Sequence, residues 1–106
     1  SPQAEVNTSS PIHLNSTDEQ AIIRCRGRGY PPPVVSWFRD GKRIDTNNSS
    51  DVYQNVGTTT PARFLGWIST ILYIKPDSTH SQFGNYTCKA TKLKDNEYDL
   101  KVVEIV

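Results

Sequence analysis

The chain has 106 residues and a formal net charge of +1, with 35% apolar and 22% charged residues. This length suits one domain with one hydrophobic core, and the composition excludes a disordered tail and a membrane segment. The near-neutral charge argues against a dedicated nucleic-acid-binding protein, and no apolar run approaches the roughly 18 residues that membrane insertion needs.

The first half of the chain alternates between polar connections and short apolar runs. Residues 1–11 are polar, so we expect a linker leading into strand A, an edge strand, and then a single domain over residues 12–106. Apolar and polar residues alternate with a period of two over residues 21–27 and 34–38, as in half-buried strands. The prolines between these two runs end the first strand, because proline lacks the donor that a ladder needs.

The second half of the chain is predicted to add further strands and no helix. The expected strands are a short one at 51–56 and longer ones at 66–75, 85–92 and 98–106. The total is seven or eight short strands separated by turn signals, without an internal repeat. This pattern is typical of an all-β sandwich or barrel, and periodicity alone does not choose between the two.

Two cysteines, Cys25 and Cys88, do not decide the cellular compartment by themselves. The chain also contains Asn-x-Ser/Thr sequons, which are acceptors for N-glycosylation; they begin at Asn7, Asn15, Asn47, Asn48 and Asn85. Five sequons in one domain favour a secreted or cell-surface protein, and hence a disulfide over two unpaired thiols. Because the chain has no signal peptide and does not begin with methionine, we expect it to be a segment of a longer protein.

The residues between and around the cysteines resemble those of the immunoglobulin fold. Cys25 is followed by Trp37, and Cys88 is preceded by Gly84 and Tyr86 in "GNYTC". The segments "SPIHLNSTDEQAIIRC" and "YPPPVVSWFRDGKRI" are similar to I-set domains of neural adhesion molecules, including the NCAM, IgLON, Lachesin and Amalgam groups. The resemblance covers almost the whole chain.

This resemblance implies an I-set β-sandwich of two antiparallel sheets joined by a Cys25–Cys88 disulfide. Trp37 would pack on the disulfide, and the Tyr86 hydroxyl would bind a backbone carbonyl at the turn before its strand. Gly84 and Leu72 complete the expected core signature. Most relatives carry aspartate where this chain has Gln82, so the ion pair that this aspartate makes is not expected here.

The sequence offers no convincing catalytic or metal site, so we expect neither an enzyme nor a cofactor. The segment 77–81 contains aspartate, serines and His80, but nothing supplies an orienting group or an oxyanion hole. The only other histidine is His13, which argues against zinc. We therefore interpret 77–81 as a polar turn.

Three groups of residues are candidates for binding. Arg24, Arg26 and Lys75 are predicted to face outward and to form a basic patch for heparan sulfate, with a solvated strand face as the alternative. Phe38 and Lys89 are predicted on an outer sheet face, together with Thr87, Lys101 and Val103, with a ring covered by its neighbours as the alternative. Phe64, Leu65 and Trp67 form an apolar cluster that is either an exposed interface or part of the core.

The predicted function is binding, as an extracellular module of a cell-surface adhesion or recognition protein. Its expected location is the outer side of the plasma membrane, or the extracellular medium. Expected partners are another cell-surface or secreted protein, in a homophilic or heterophilic contact, and neighbouring immunoglobulin domains in cis. A ligand-binding repeat of a signalling receptor and a structural spacer are the alternatives.

Overall fold

Eight β-strands make up the regular structure of the described chain. The computed structural model describes residues 1–14, 20–30, 32–44, 53–59, 67–75 and 82–106, and for 53–59 and 67 it describes the backbone. The strands are β1 (Gln3–Val6), β2 (Ala21–Arg28), β3 (Val34–Arg39), β4 (Lys42–Arg43), β5 (Tyr53–Thr59), β6 (Trp67–Ile74), β7 (Gly84–Lys92) and β8 (Glu97–Ile105). No helix occurs within these described ranges.

The strands form two four-stranded antiparallel sheets, with the orders β1-β2-β6-β5 and β4-β3-β7-β8. Between β1 and β2 the chain crosses from the first sheet to the second. There Ile12 forms a parallel bridge with Ile105, and its amide donates to the Glu104 carbonyl at 2.7 Å. This is a β-sandwich, so the sandwich is the correct choice between the two predicted architectures.

The core lies between the sheets and is centred on the Cys25–Cys88 disulfide, which joins β2 to β7. Trp37, Leu72 and Tyr86 are buried around it. The disulfide spans a sequence separation of 63 residues, which in the chain-entropy model stabilises the fold by roughly 4 kcal/mol. The predicted two antiparallel sheets with one inter-sheet disulfide are therefore confirmed.

Gln82 and Tyr86 connect the start of β7 to the end of β6. The Tyr86 hydroxyl donates to the Gln82 carbonyl at 2.7 Å, which satisfies the polar end of a buried ring. The buried Gln82 side-chain amide donates to the backbone carbonyls of Ile74 and Lys75 at the end of β6. Neutral hydrogen bonds thus join the two strand ends at the position where an aspartate was expected from the resemblance.

Gly84 is needed where β3 meets β7. Asn85 donates its amide to Asp40 Oδ1 at 2.9 Å, and its carbonyl accepts the Asp40 amide at 2.8 Å. Gly84 has φ of 146°, and a Cβ there would lie 2.8 Å from Asp40 Oδ2. A larger residue would therefore displace the carboxylate that holds Asn85.

Strand β1 lies inside the segment that was expected to be mainly a linker. Ala4 is buried, and its amide donates to Asp99 Oδ2 on β8 at 2.8 Å. Residues 3–6 thus pair with β2 and also contact the opposite sheet. The division into a leading segment, 1–11, and a domain, 12–106, stays a prediction.

Replacing Gly84 by alanine should destabilise the domain by about 1–3 kcal/mol, because it adds backbone strain and a clash with Asp40. Gly41 is a matched control: its φ is 83°, but no atom lies within 4 Å of the position of an added Cβ. We expect Gly41→Ala to lower the unfolding free energy by about 1 kcal/mol, through backbone strain alone. Urea unfolding of both variants measures the difference, and equal losses would contradict the role given to Asp40.

Asp99 should make the domain less stable in acid. The Ala4 amide, and then Lys101, hold the pKa of Asp99 below its ordinary value. The unfolded chain therefore binds this proton more readily, so the contribution of Asp99 is complete above about pH 4 and is lost as the pH falls further. Asp99→Asn should lower the unfolding free energy at pH 7 and reduce its loss below pH 4, as measured by urea unfolding across pH. Lys101→Gln keeps the hydrogen bond from the Ala4 amide to Asp99, so the unfolding free energy of this variant should still fall below pH 4 by most of the wild-type amount.

Candidate functional site

The outer surface of the β4-β3-β7-β8 sheet carries an unusual set of side chains. Since successive residues of a strand point to opposite faces, the even residues of β3 and β8 and the odd residues of β7 face outward. We call this surface the β3–β7–β8 face; it consists of Val34, Ser36, Phe38, Asn85, Thr87, Lys89, Thr91, Tyr98, Leu100, Val102 and Glu104.

The register arranges these side chains in rows across the strands. From one end to the other, the rows are Val34–Thr91–Tyr98, Ser36–Lys89–Leu100, Phe38–Thr87–Val102 and Asn85–Glu104. Neighbouring rows are two residues apart along each strand, or roughly 6.6 Å.

Large apolar side chains are exposed at one corner of the β3–β7–β8 face, on β3, and along its β8 side. Val34 is 43% exposed on β3, and Tyr98, Leu100 and Val102 are 58%, 44% and 53% exposed on β8. An antiparallel sheet with one solvated side normally presents polar residues there. A row of exposed apolar residues with a polar rim is instead typical of a protein-interaction surface.

Lys89 lies at the centre of this apolar surface. Its Nζ is 4.4 Å from the centroid of the Tyr98 ring and 5.7 Å from that of Phe38, so both rings stabilise the ammonium by cation–π contact. None of the ion pairs among the described residues includes Lys89. Lys89 is thus a cation held by aromatic rings and open to contact with an anionic group, and Arg43, paired with Phe38 on β4, lies at the edge of the same surface.

The prediction placed Phe38 and Lys89 on this face correctly but was wrong about two of their neighbours. Val103 is buried opposite Tyr86, and Lys101 lies opposite Cys88, so both belong to the inward parity of β8. A shift of one residue exchanges the two faces of a strand. The prediction did not name Val34, Tyr98, Leu100 or Val102 as interface candidates, and their register against β7 places them on this face.

The basic residues on β2 are partly neutralised. Arg26 and Arg28 bind Glu5 with N–O distances of 2.8 and 3.2 Å. These hydrogen bonds, that of Arg26 first, lower the pKa of Glu5. Arg24 is exposed and lines a groove with Arg26 on the outer side of the β1-β2-β6 surface.

Lys75 is distant from the arginines with which it was grouped. Arg24 lies opposite Ile71, and Lys75 follows Ile71 by four residues, which is roughly 13 Å along the strand. The proposed heparan sulfate patch is therefore limited to Arg24 and Arg26 in one groove, and heparan sulfate binding stays a prediction.

The remaining candidates divide between described and undescribed parts of the chain. Asn7 and Asn85 are exposed. Trp67 begins β6, and the described backbone there does not choose between the interface and core alternatives. The candidates outside the described residues are Asn15, Asn47, Asn48, Phe64, Leu65 and the segment 77–81, which was predicted to be a polar turn.

One end of the sandwich exposes two large apolar side chains. Tyr30 lies in the β2–β3 turn and is 73% exposed, and Leu93 lies in the β7–β8 turn and is 67% exposed.

Within the described ranges, no three His, Cys, Asp or Glu residues lie close enough together to bind a metal ion. No helix in those ranges is long and apolar enough to cross a membrane.

Two known proteins are similar to most of this chain. Over 71 residues the chain is 37% identical to neural cell adhesion molecule 1 of Gallus gallus, covering 67% of this chain and 6% of that protein. It is 29% identical over 83 residues to the limbic system-associated membrane protein of Gallus gallus, covering 78% of this chain and 21% of that protein. The chain thus matches a small part of each relative.

A solved structure and a family model agree with this similarity. The structure of the N-terminal eight Ig domains of Down Syndrome Cell Adhesion Molecule superimposes with a TM-score of 0.73 at 22% identity, over 96% of this chain and 14% of that one. The model of the immunoglobulin domain matches residues 2–91. The chain belongs to the immunoglobulin domain family.

Proposed function

We propose that this chain is an extracellular recognition domain of a cell-surface adhesion protein, and that it binds a protein partner through the β3–β7–β8 face. The observation that carries the proposal is the exposed apolar surface of Val34, Tyr98, Leu100 and Val102 around Lys89. Removing such surface from water contributes about 25 cal/mol per Å². Binding therefore gains free energy from a surface that the isolated domain leaves in water.

The chemistry of the β3–β7–β8 face limits what it binds. A suitable partner presents an apolar surface with an acidic side chain opposite Lys89, because an ammonium buried without a counter-charge is costly. The aromatic walls restrict the motion of Lys89, so less side-chain entropy is lost on binding. A second copy of the domain and a different surface protein are both compatible with this chemistry.

The adhesion role is supported by the names of the similar proteins, a neural cell adhesion molecule and a limbic system-associated membrane protein. The same two names support a place for this chain on the outer side of the plasma membrane, or in the extracellular medium. The exposed Tyr30 at one end suits contact with a neighbouring immunoglobulin domain in cis. The role is binding without catalysis.

Leu100→Asp should weaken partner binding, because it places a charge in the middle of the apolar surface. We expect at least about a tenfold loss of affinity, equivalent to 1.4 kcal/mol. The matched control is Leu93→Asp, which alters an exposed leucine in the β7–β8 turn outside the β3–β7–β8 face. The assay measures binding of tetramerised domain to an array of cell-surface ectodomains that includes this domain itself, and thermal unfolding checks the fold.

Three results of that assay are distinguishable. Binding that Leu100→Asp removes and Leu93→Asp retains supports the proposed surface. Equal binding by the two variants would refute it. Wild-type protein that binds nothing favours a structural spacer. A cytoplasmic kinase or phosphatase domain in the same full-length protein would favour the signalling-receptor alternative.

The groove beside Arg24 and Arg26 makes sulfated glycans such as heparan sulfate a second candidate ligand class. Glu5 opposes this binding, because its carboxylate occupies Arg26 and Arg28. Glu5→Gln should therefore increase retention on immobilised heparin, and Arg24→Gln should decrease it. Elution across a salt gradient measures both effects, and unchanged elution of both variants would exclude the groove as a heparin site.

A further inference from the structure

Asn85 occupies a position on the β3–β7–β8 face that is suited to covalent modification. It is the first residue of the sequon Asn85-Tyr86-Thr87, and its side chain is exposed and faces outward from β7. The Asn85 side chain forms no hydrogen bond with the described residues. The side-chain nitrogen Nδ2 of Asn85 is therefore open to solvent.

The backbone of Asn85 is held in place from both sides. The backbone N–H of Asn85 donates to the Asp40 carboxylate at 2.9 Å, and the backbone N–H of Asp40 donates to the Asn85 backbone carbonyl at 2.8 Å. Asp40 itself has a positive φ of 48° at the turn after β3. A group attached to Asn85 is thus fixed relative to the sheet and does not move with a loop.

The apolar part of the β3–β7–β8 face begins one row away. Phe38, Thr87 and Val102 form the row next to Asn85 and Glu104, at roughly 6.6 Å along the strands. A branched oligosaccharide on Asn85 is larger than this spacing. Attached there, it would cover Val102 and the outer edge of Phe38.

We propose that Asn85 carries an N-linked oligosaccharide that covers the Phe38–Thr87–Val102 row and hinders partner binding. The donor is an oligosaccharide on a polyprenyl diphosphate. A bond forms between Asn85 Nδ2 and the anomeric carbon of the sugar, the bond from that carbon to the diphosphate oxygen breaks, polyprenyl diphosphate leaves, and one amide proton passes to solvent. The statement that the sugar hinders partner binding rests on the proposed function, whereas the statement that it covers the Phe38–Thr87–Val102 row does not.

Asn7 offers a matched control within the same chain. It also begins a sequon and is exposed, but its amide pairs with the Arg24 carbonyl, beside the other sheet. A sugar on Asn7 therefore lies across the sandwich from the β3–β7–β8 face. Removing it should leave that face unchanged.

The test uses wild-type protein secreted from a glycosylating cell, with Asn85→Gln, Thr87→Ala and Asn7→Gln. Glycopeptide mass spectrometry measures the occupancy of each sequon. Hydroxyl-radical footprinting then measures the labelling of Phe38 and Val102 relative to Tyr30 at the far end of the sandwich. Binding to the ectodomain array is measured on the same samples.

We expect Asn85 to be occupied, with loss of most of the Phe38 and Val102 labelling in the wild type. Asn85→Gln and Thr87→Ala should both restore this labelling, Asn85→Gln should also increase binding, and Asn7→Gln should do neither. Unmodified Asn85, or equal labelling with and without its sugar, would overturn the proposal, as would restored labelling with unchanged binding to a partner. Restored labelling with no binding by any form would support the cover and refute the proposed function instead.

Discussion

The Cys25–Cys88 disulfide is the constraint on which the two surfaces of this domain depend. It requires Cys25 on β2 and Cys88 on β7 to point toward each other between the sheets. Because side chains alternate along a strand, this one contact fixes which residues of both strands face inward and which face solvent. Lys89 is consequently turned outward, and Arg24 faces outward on the opposite sheet.

The same parity places Asn85 outward, but its exact position depends on a second contact. Strand β7 begins at Gly84, and the Asp40 carboxylate fits against this glycine because no Cβ is present there. The main chain of Asp40 and Asn85 is thereby joined at the end of two central strands. Core packing and the arrangement of the outer surface are thus determined by adjacent residues of one strand, with Tyr86 and Cys88 inside and Asn85 and Lys89 outside.

The part of this structure that local pattern determines was predictable from sequence. Cys25, Trp37 and Cys88 stand on strands with clear alternation, and their resemblance to a known family supplied the pairing. The last strand was less predictable, because its apolar residues change from even to odd positions. They stand at Tyr98, Leu100 and Val102, and then at Val103 and Ile105. There the register against β7 decides which residues are buried, and register is a long-range property.

The contact of Glu5 with Arg26 was not predictable for the same reason, since it depends on how β1 pairs with β2. It reduces the positive charge of the outer surface there, where one carboxylate faces Arg26 and Arg28. The two outer surfaces therefore differ in a way that composition does not reveal: on the β2 side Glu5 pairs with two of the three arginines, and the β3–β7–β8 face keeps Lys89 among aromatic and apolar groups.

The outer edge of β8 shows why a partner would approach the β3–β7–β8 face and not the strand edge. An exposed edge strand offers unpaired backbone groups to other chains. Here Ile12 and Leu14 pair with the end of β8 through backbone hydrogen bonds, and Asp99 on the same strand accepts the Ala4 amide. Lys101, beside Asp99, adds charge to the edge between these contacts. Addition of a foreign strand is therefore opposed at residues 104–106 by pairing and near Asp99 and Lys101 by charge, and the exposed side chains of Tyr98, Leu100 and Val102 remain the apolar surface through which β8 can contact another protein.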